Sequence, residues 1–226
     1  YKKIYTISGC AWKMKIILLG MPGSGKGTQS EILKQKFSIA NISTGAILRQ
    51  ASREQGKQAE LIRSFIDKGQ LVPDKIIIQM LVNRIHQKDC SKGYILDGFP
   101  RNLAQGQSLD NAGIKVDFVI YLEISEQAII SRMAGRRIHP ASGRSYHLQH
   151  NPPQKDGLDD ISGEPLIQRD DDTPEVIKKR VASFNKETRP LLEFYKSKKV
   201  KFLEVDASKE LNLSLIHISE PTRPNE

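Results

Sequence analysis

Four glycines and one lysine carry the densest chemistry in the chain. The stretch GMPGSGKGTQ, residues 20–29, sets Gly20, Gly23, Gly25 and Gly27 around Ser24 and Lys26, directly after the run KIILL at 15–19. Closely spaced glycines let the backbone curl until successive N–H groups point into one space, and a helix starting there adds the positive end of its dipole. The product is a cradle for phosphate oxygens, with Lys26 long enough to reach the outer phosphates of a nucleoside triphosphate. In the general form of this P-loop a Ser or Thr follows the lysine directly, whereas here Gly27 intervenes and the hydroxyl falls on Thr28. Spacing alone leaves open whether Thr28 takes the Mg2+ side of the site while Gly27 lets a phosphate pass close to the backbone.

A second group follows the run YIL at 94–96, where DGFPR places Asp97 and Arg101 at the carboxyl end of an expected parallel strand. Open α/β sheets bind ligands at that edge. Further arginines, Arg49, Arg132, Arg136, Arg169 and Arg180, fall singly along the chain. Any one alone is ordinarily a solvated charge. Their scattering favours separate arginines converging on phosphates, a set that would suit phosphoryl transfer, which asks for in-line placement and neutralisation of charge on the equatorial oxygens. Such a reaction requires no general base from a side chain.

The elements that would hold these groups alternate regularly. Short aliphatic runs closed by Gly or Asp, KIILLG at 15, GYILDG at 93, VDFVIYLEI at 116 and VKFLEVD at 200, read as buried parallel strands. Between them KGTQSEILKQKF, PDKIIIQMLVNRIHQ, SEQAIISRMAGRR and DTPEVIKKRVASFNKETRPLLEFYKSKK space their apolar residues at helical period. That alternation predicts a doubly wound α/β sheet, with Pro190 kinking or dividing the last helix. Residues 43–72 and 136–172 break the rhythm. The first is expected to hold short helical pieces without a strand. The second is rich in Gly, Pro, His and Asp, and a stretch of that length is often a lid over an active site.

The 226 residues, 38% of them apolar, suggest one soluble domain with a lobe or insertion. No apolar run approaches the roughly 20 residues that cross a bilayer. Two cysteines, Cys10 and Cys90, cannot build a disulfide framework, so unpaired thiols in a reducing, cytoplasmic setting are expected. A net charge of +9 fits nucleic acid or a small polyanion; the scattering of the arginines, without basic tracts interleaved with aromatics, favours the polyanion. Both ends look foreign to this pattern. Met14 is the expected native start, which leaves residues 1–13 as upstream translated sequence, and LSLIHISEPTR at 213–223 resembles a translated sequencing adapter.

Six motifs taken in order, GMPGSGKGTQ, ISTGAILRQ at 42, GQLVPD at 69, GYILDGFPRNLAQGQ at 93, GRRIHPASGRSYH at 135 and DDISGEPLIQRDDD at 159, resemble the long, bacterial-type adenylate kinases from about Met14 to Leu211. GxPGxGKGT is that family's version of the P-loop. The resemblance implies a P-loop nucleoside triphosphate hydrolase-type core (14–42, 73–134 and 173–212) with a five-stranded parallel sheet flanked by helices. It adds an AMP-binding lobe (43–72) and a lid (135–172), with 1–13 and 213–226 as non-native ends.

The activity implied is ATP + AMP ⇌ 2 ADP, Mg2+-dependent, serving adenine nucleotide homeostasis in a cytoplasmic monomer with neither nucleic-acid nor membrane partners. On the ATP side the resemblance places Gly23, Ser24, Gly25, Lys26, Gly27 and Thr28, with Arg132 stacked on the adenine, Ser145 and Tyr146 over the ribose and base, and Lys209 near the purine. On the AMP side it places Thr44, Arg49, the backbone of Gln70, Leu71 and Val72, then Gly98, Phe99, Pro100 and Arg101, and Gln105 at the adenine edge. Arg136, Arg169 and Arg180 would wrap the transferred group, the last two reaching AMP as well, and Asp97 would hold water around Mg2+. Ala46 departs from the family, which has Asp there. The lid has no cysteine, and His139, Ser142, Asp159 and Ser162 match the metal-free version, in which a polar cluster replaces structural zinc. The alternatives are another nucleoside monophosphate kinase, of UMP/CMP or GTP:AMP type, and a silent nucleotide-binding or nucleic-acid-binding P-loop protein.

Overall fold

The computed structural model describes residues 14–67, 72–168 and 172–208. The two ends expected to be foreign lie outside them. Five strands, β1 (Met14–Gly20), β2 (Ala40–Ser43), β3 (Gly93–Asp97), β4 (Phe118–Glu123) and a last one at Lys201–Asp206, form one sheet in which every pairing is parallel. Their spatial order is β2, β3, β1, β4 and then the last strand. Parallel strands are covered on both faces, so they read as unbroken aliphatic runs. Ile16, Ile17, Leu18 and Leu19 in β1 are all at most 3% exposed, and Ile95 and Val119 beside them are wholly buried.

Helices α1 (Lys26–Phe37), α2 (Thr44–Ala51), α3 (Lys57–Asp67), α4 (Asp74–Ile85), α5 (Leu103–Asn111) and α6 (Glu126–Ala134) fill the connections in turn. From β1 the chain travels through α1 to the sheet edge at β2, then returns to β3 beside β1. From β3 it leaves in the opposite direction, to β4 on the other flank of β1. The carboxyl ends of β1 and β3 are therefore a switch point where the outgoing loops part and leave a crevice. Register sets Leu18 opposite Asp97, so the loop after β1 and the loop after β3 face the same space.

One strand escaped the sequence reading. β2 has only four residues, ANIS, on the sheet edge, with alternate rather than continuous burial, and so lacks the apolar run that marked the other four. Beyond α6, strands β5 (Arg136–Ile138) and β6 (Ser145–His147) pair antiparallel, and single bridges join Ile138 to Ile167, His147 to Asn151 and Leu158 to Pro165. A three-residue strand is too short to show periodicity, which is why this stretch looked irregular. The last sheet strand is thus β7.

The expected division at Pro190 takes a specific form. Helix α7 (Pro174–Ser183) passes into a π-helical turn, Phe184–Thr188, and α8 (Arg189–Lys196) begins with Pro190 in its first turn. Proline has no N–H to offer the carbonyl one turn back, and a widened turn absorbs the mismatch. Cys90 is a buried free thiol, and Cys10 lies outside the described residues.

The side chains of β1 lie at the centre of the core. Replacing Ile17, 0% exposed, with Ala should cost about 2–5 kcal/mol in urea unfolding. Ile161→Ala, at a side chain 76% exposed, should stay within about 0.5 kcal/mol of the parent.

Candidate functional site

The loop between β1 and α1 turns on Gly23 and Gly25, whose positive φ values are ones that other residues rarely adopt. Gly23 has φ +80°, and a Cβ there would lie 2.7 Å from Met133 Cγ on α6. The loop is thus pressed against α6, with the Ser24 hydroxyl buried inside it and unpartnered among the described residues. Gly25, in left-handed conformation, ends the loop, and Lys26 opens α1. The Lys26 ammonium is folded back to donate to the carbonyls of Gly20 at 2.7 Å and Met21 at 2.9 Å. Gly27 and Thr28 follow in the first turn of α1, and Ser30 donates to the Gly27 carbonyl at 2.8 Å.

The charges around Lys26 identify the neighbours that the fold brings to it. Burial pushes its pKa from 10.5 down to about 8; Asp97 opposes that shift, while Arg101, Arg180 and Arg136 reinforce it. Arg101 keeps solvent access, yet the surrounding protein lowers its pKa, helped by Arg180 and Arg49 and opposed by Asp97. Residues from β3, the β3–α5 loop, α2, β5 and α7 therefore share one electrostatic neighbourhood. A crevice lined by one sign of charge attracts a polyanion.

Two acidic groups temper the gathering. Asp97 ends β3. Asp172, with a side chain 0% exposed, takes both Nε (2.7 Å) and Nη2 of Arg136, and lies 4.0 Å from Arg180 Nη1. Sequence reasoning passed over Asp172, which stood out only as the last of three aspartates before the Thr173 cap of α7.

The loop after β3 is tied down at both ends of Arg101. Its N–H donates to Gln105 Oε1 at 2.7 Å, and its carbonyl accepts from the Thr188 hydroxyl at 2.6 Å. The side chain turns back, Nε donating to the Gly98 carbonyl at 2.9 Å. Phe99 is 1% exposed and Pro100, joined to it by a cis bond, is buried. Thr188 belongs to the π-helical turn, and no periodicity marked it. Nearby, Thr44 is 4% exposed and its hydroxyl lies 3.5 Å from the Asp97 carbonyl. Arg49, on the same helix, folds over Gly45, where a Cβ would sit 3.1 Å from its Nη1. Ser43 caps α2 by accepting from the Ala46 amide, so the cap is made without a carboxylate at position 46. Val72 is 4% exposed.

Around β5 and β6 the predicted polar residues meet in one cluster. His139, 3% exposed, bonds to Ser142 Oγ at 2.7 Å and to Glu164 Oε2 at 2.5 Å, with Ser162 Oγ at 3.3 Å. Asp159 accepts from Arg144, Ser162 and the Tyr146 hydroxyl. Arg144 above all, with Ser162 and Tyr146, holds its carboxyl well below the usual range. Tyr146 is itself buried and turned into this cluster, while Ser145 is exposed. Arg132 donates to the Ala207 carbonyl at 2.7 Å, which fastens α6 to the end of β7. Arg169, Gln70, Leu71 and Lys209 lie outside the described residues.

The adenylate kinase family model matches residues 18–200. The chain belongs to that family of nucleotide-binding phosphotransferases, and its five-stranded P-loop core is the corresponding fold.

The lowered pKa of Lys26 gives the site a proton signature. Above pH 8 the free protein holds this amine largely neutral, and a bound polyphosphate favours the charged form. Titrating ADP in buffers of different ionisation enthalpy should therefore show proton uptake at pH 9, little at pH 7, and a marked loss of uptake in Lys26→Met.

Proposed function

We propose that this chain transfers the γ-phosphoryl group of ATP to AMP, reversibly and with Mg2+, giving two ADP. The observation that carries the reading is the shared neighbourhood of Lys26, Asp97, Arg101, Arg136 and Arg180 at the β1/β3 switch point. Two anionic nucleotides meeting end to end need cations from several directions, and these come from four separate elements, α1, the β3–α5 loop, β5 and α7.

In this reading the loop Gly23–Thr28 holds the ATP phosphates through its backbone and Lys26 follows the moving group. Arg101 grips the AMP phosphate with Arg49 beside it, and Gly98 to Pro100 shape the wall. Thr44, the Gln70–Val72 backbone and Gln105 receive the AMP base. Arg136, Arg180 and Arg169 neutralise the equatorial oxygens during transfer, so Asp172 must hand over its two partners as the phosphoryl group arrives. Arg132, Ser145 and Lys209 cover the ATP base and ribose, whereas the Tyr146 side chain, buried against Asp159, stays with the polar cluster instead.

A carboxylate at the strand end next to the lysine suits Mg2+, which prefers oxygen ligands and keeps several waters. Asp97 would hold it through water, with Thr28 on the phosphate side. The bound ion would supply charge neutralisation between the two outer phosphates.

Residues 43–72 act as the monophosphate lobe and 135–172 as a lid, closing on the core (14–42, 73–134 and 173–212) to exclude water before transfer. The polar cluster of His139, Ser142, Asp159 and Ser162 keeps the lid rigid without zinc. The protein works as a cytoplasmic monomer in adenine nucleotide homeostasis and biosynthesis, on small nucleotides rather than nucleic acid or membrane. Among the described residues no helix is long and apolar enough to cross a membrane.

A coupled assay for ADP production from ATP, with AMP, GMP, UMP and CMP as acceptors in turn, tests the reading, and AMP should be the preferred acceptor. Lys26→Met or Arg101→Ala should each reduce turnover by about 10³ or more, equivalent to roughly 4 kcal/mol of barrier, with unfolding curves near those of the parent. Full rates in either variant would remove those residues from the mechanism.

A further inference from the structure

Gln105 is 1% exposed, and both ends of its amide are already engaged within the protein. Oε1 accepts from the Arg101 N–H at 2.7 Å, and Nε2 donates to Asp74 Oδ1 at 2.7 Å. Its backbone N–H donates to Asn102 Oδ1 at 2.9 Å, which fixes the start of α5 beneath it. Resting on the acceptor-site reading above, we propose that Asp74 is a specificity-determining positioning residue that locks the Gln105 amide in one sense and so selects adenine over guanine.

The argument turns on the symmetry of a primary amide. Rotated by half a turn it fills the same space with donor and acceptor exchanged, so a free glutamine can read either order. The two partners here cannot exchange roles. A carboxylate only accepts and a backbone N–H only donates, so the turned amide would set N–H against N–H and oxygen against oxygen. One lone pair and one N–H remain for a ligand, in a fixed order.

Adenine offers the N6 amino donor beside the N1 acceptor, whereas guanine offers the O6 acceptor beside the N1–H donor. An amide that reads the first meets the second with like groups facing. Buried polar groups left unpaired are what make such a site selective. Asp74 is separated from Gln105 by 31 residues and stands in the first turn of α4.

Asp74→Asn is the discriminating change, because its amide can donate or accept and removes one half of the lock at nearly constant shape. The full chain should be assayed with ATP and either AMP or GMP, alongside thermal melts. The expected result is a GMP-to-AMP ratio of kcat/KM raised at least tenfold in Asp74→Asn, chiefly through a higher KM for AMP, with kcat for AMP within about threefold of the parent. A merely structural role would depress both acceptors together, and an unchanged ratio would overturn the proposal. Should Asp74→Asn fold poorly, Asp74→Ser, whose hydroxyl also donates and accepts, carries the same expectation. No ADP from the unsubstituted chain with ATP and AMP would instead overturn the acceptor-site reading itself.

Discussion

Positive charge held beside positive charge is the constraint on which the rest of this structure depends. Here Arg101, Arg180 and Arg136 all act on Lys26, and Arg180 and Arg49 act on Arg101. Left alone, flexible side chains would swing apart. The fold prevents this by anchoring each one separately: Lys26 on two carbonyls of its own loop, Arg101 on the Gly98 carbonyl, Arg136 on a buried carboxylate. Asp97 and Asp172 supply the compensating negative charge. In the proposed reaction a nucleotide phosphate entering the crevice would offer the same cations a further anionic partner.

The order of the strands makes that anchoring possible. Had β3 been placed at the edge of the sheet, its terminal Asp97 would not have come level with Leu18, and the loops carrying Lys26 and Arg101 would have diverged. The π-helical turn before Pro190 adds a third tie, since Thr188 reaches from it to the Arg101 carbonyl. A helix irregularity caused by one proline thus fixes the backbone of a residue 87 positions away.

Much of this was legible in the sequence, for identifiable reasons. Four of the five sheet strands declared themselves because burial on both faces demands unbroken aliphatic runs, and the glycine spacing around Lys26 has few meanings besides a phosphate loop. The edge strand β2 carried no such run. Asp172, Thr188 and Asp74 escaped notice as well, because each acts through a partner distant in the chain, and their letters obey no local period. Around β5 and β6 the resemblance supplied the polar cluster of His139, Ser142, Asp159 and Ser162, but not the further partners Arg144, Tyr146 and Glu164 that complete it. Those contacts gather around the buried His139 and Asp159, and such networks depend on geometry that composition does not reveal.

The central place of β1 also bears on how the molecule is made. It is the first sheet strand in chain order, yet its two hydrogen-bonding partners, Gly93–Asp97 and Phe118–Glu123, follow only after long intervening segments. While the ribosome is still producing those segments, the run IILL has both edges unpaired and its apolar faces uncovered. Non-local parallel pairing of this kind is slow and leaves sticky intermediates. The same strand order that builds the crevice therefore makes folding wait on the closure of distant segments.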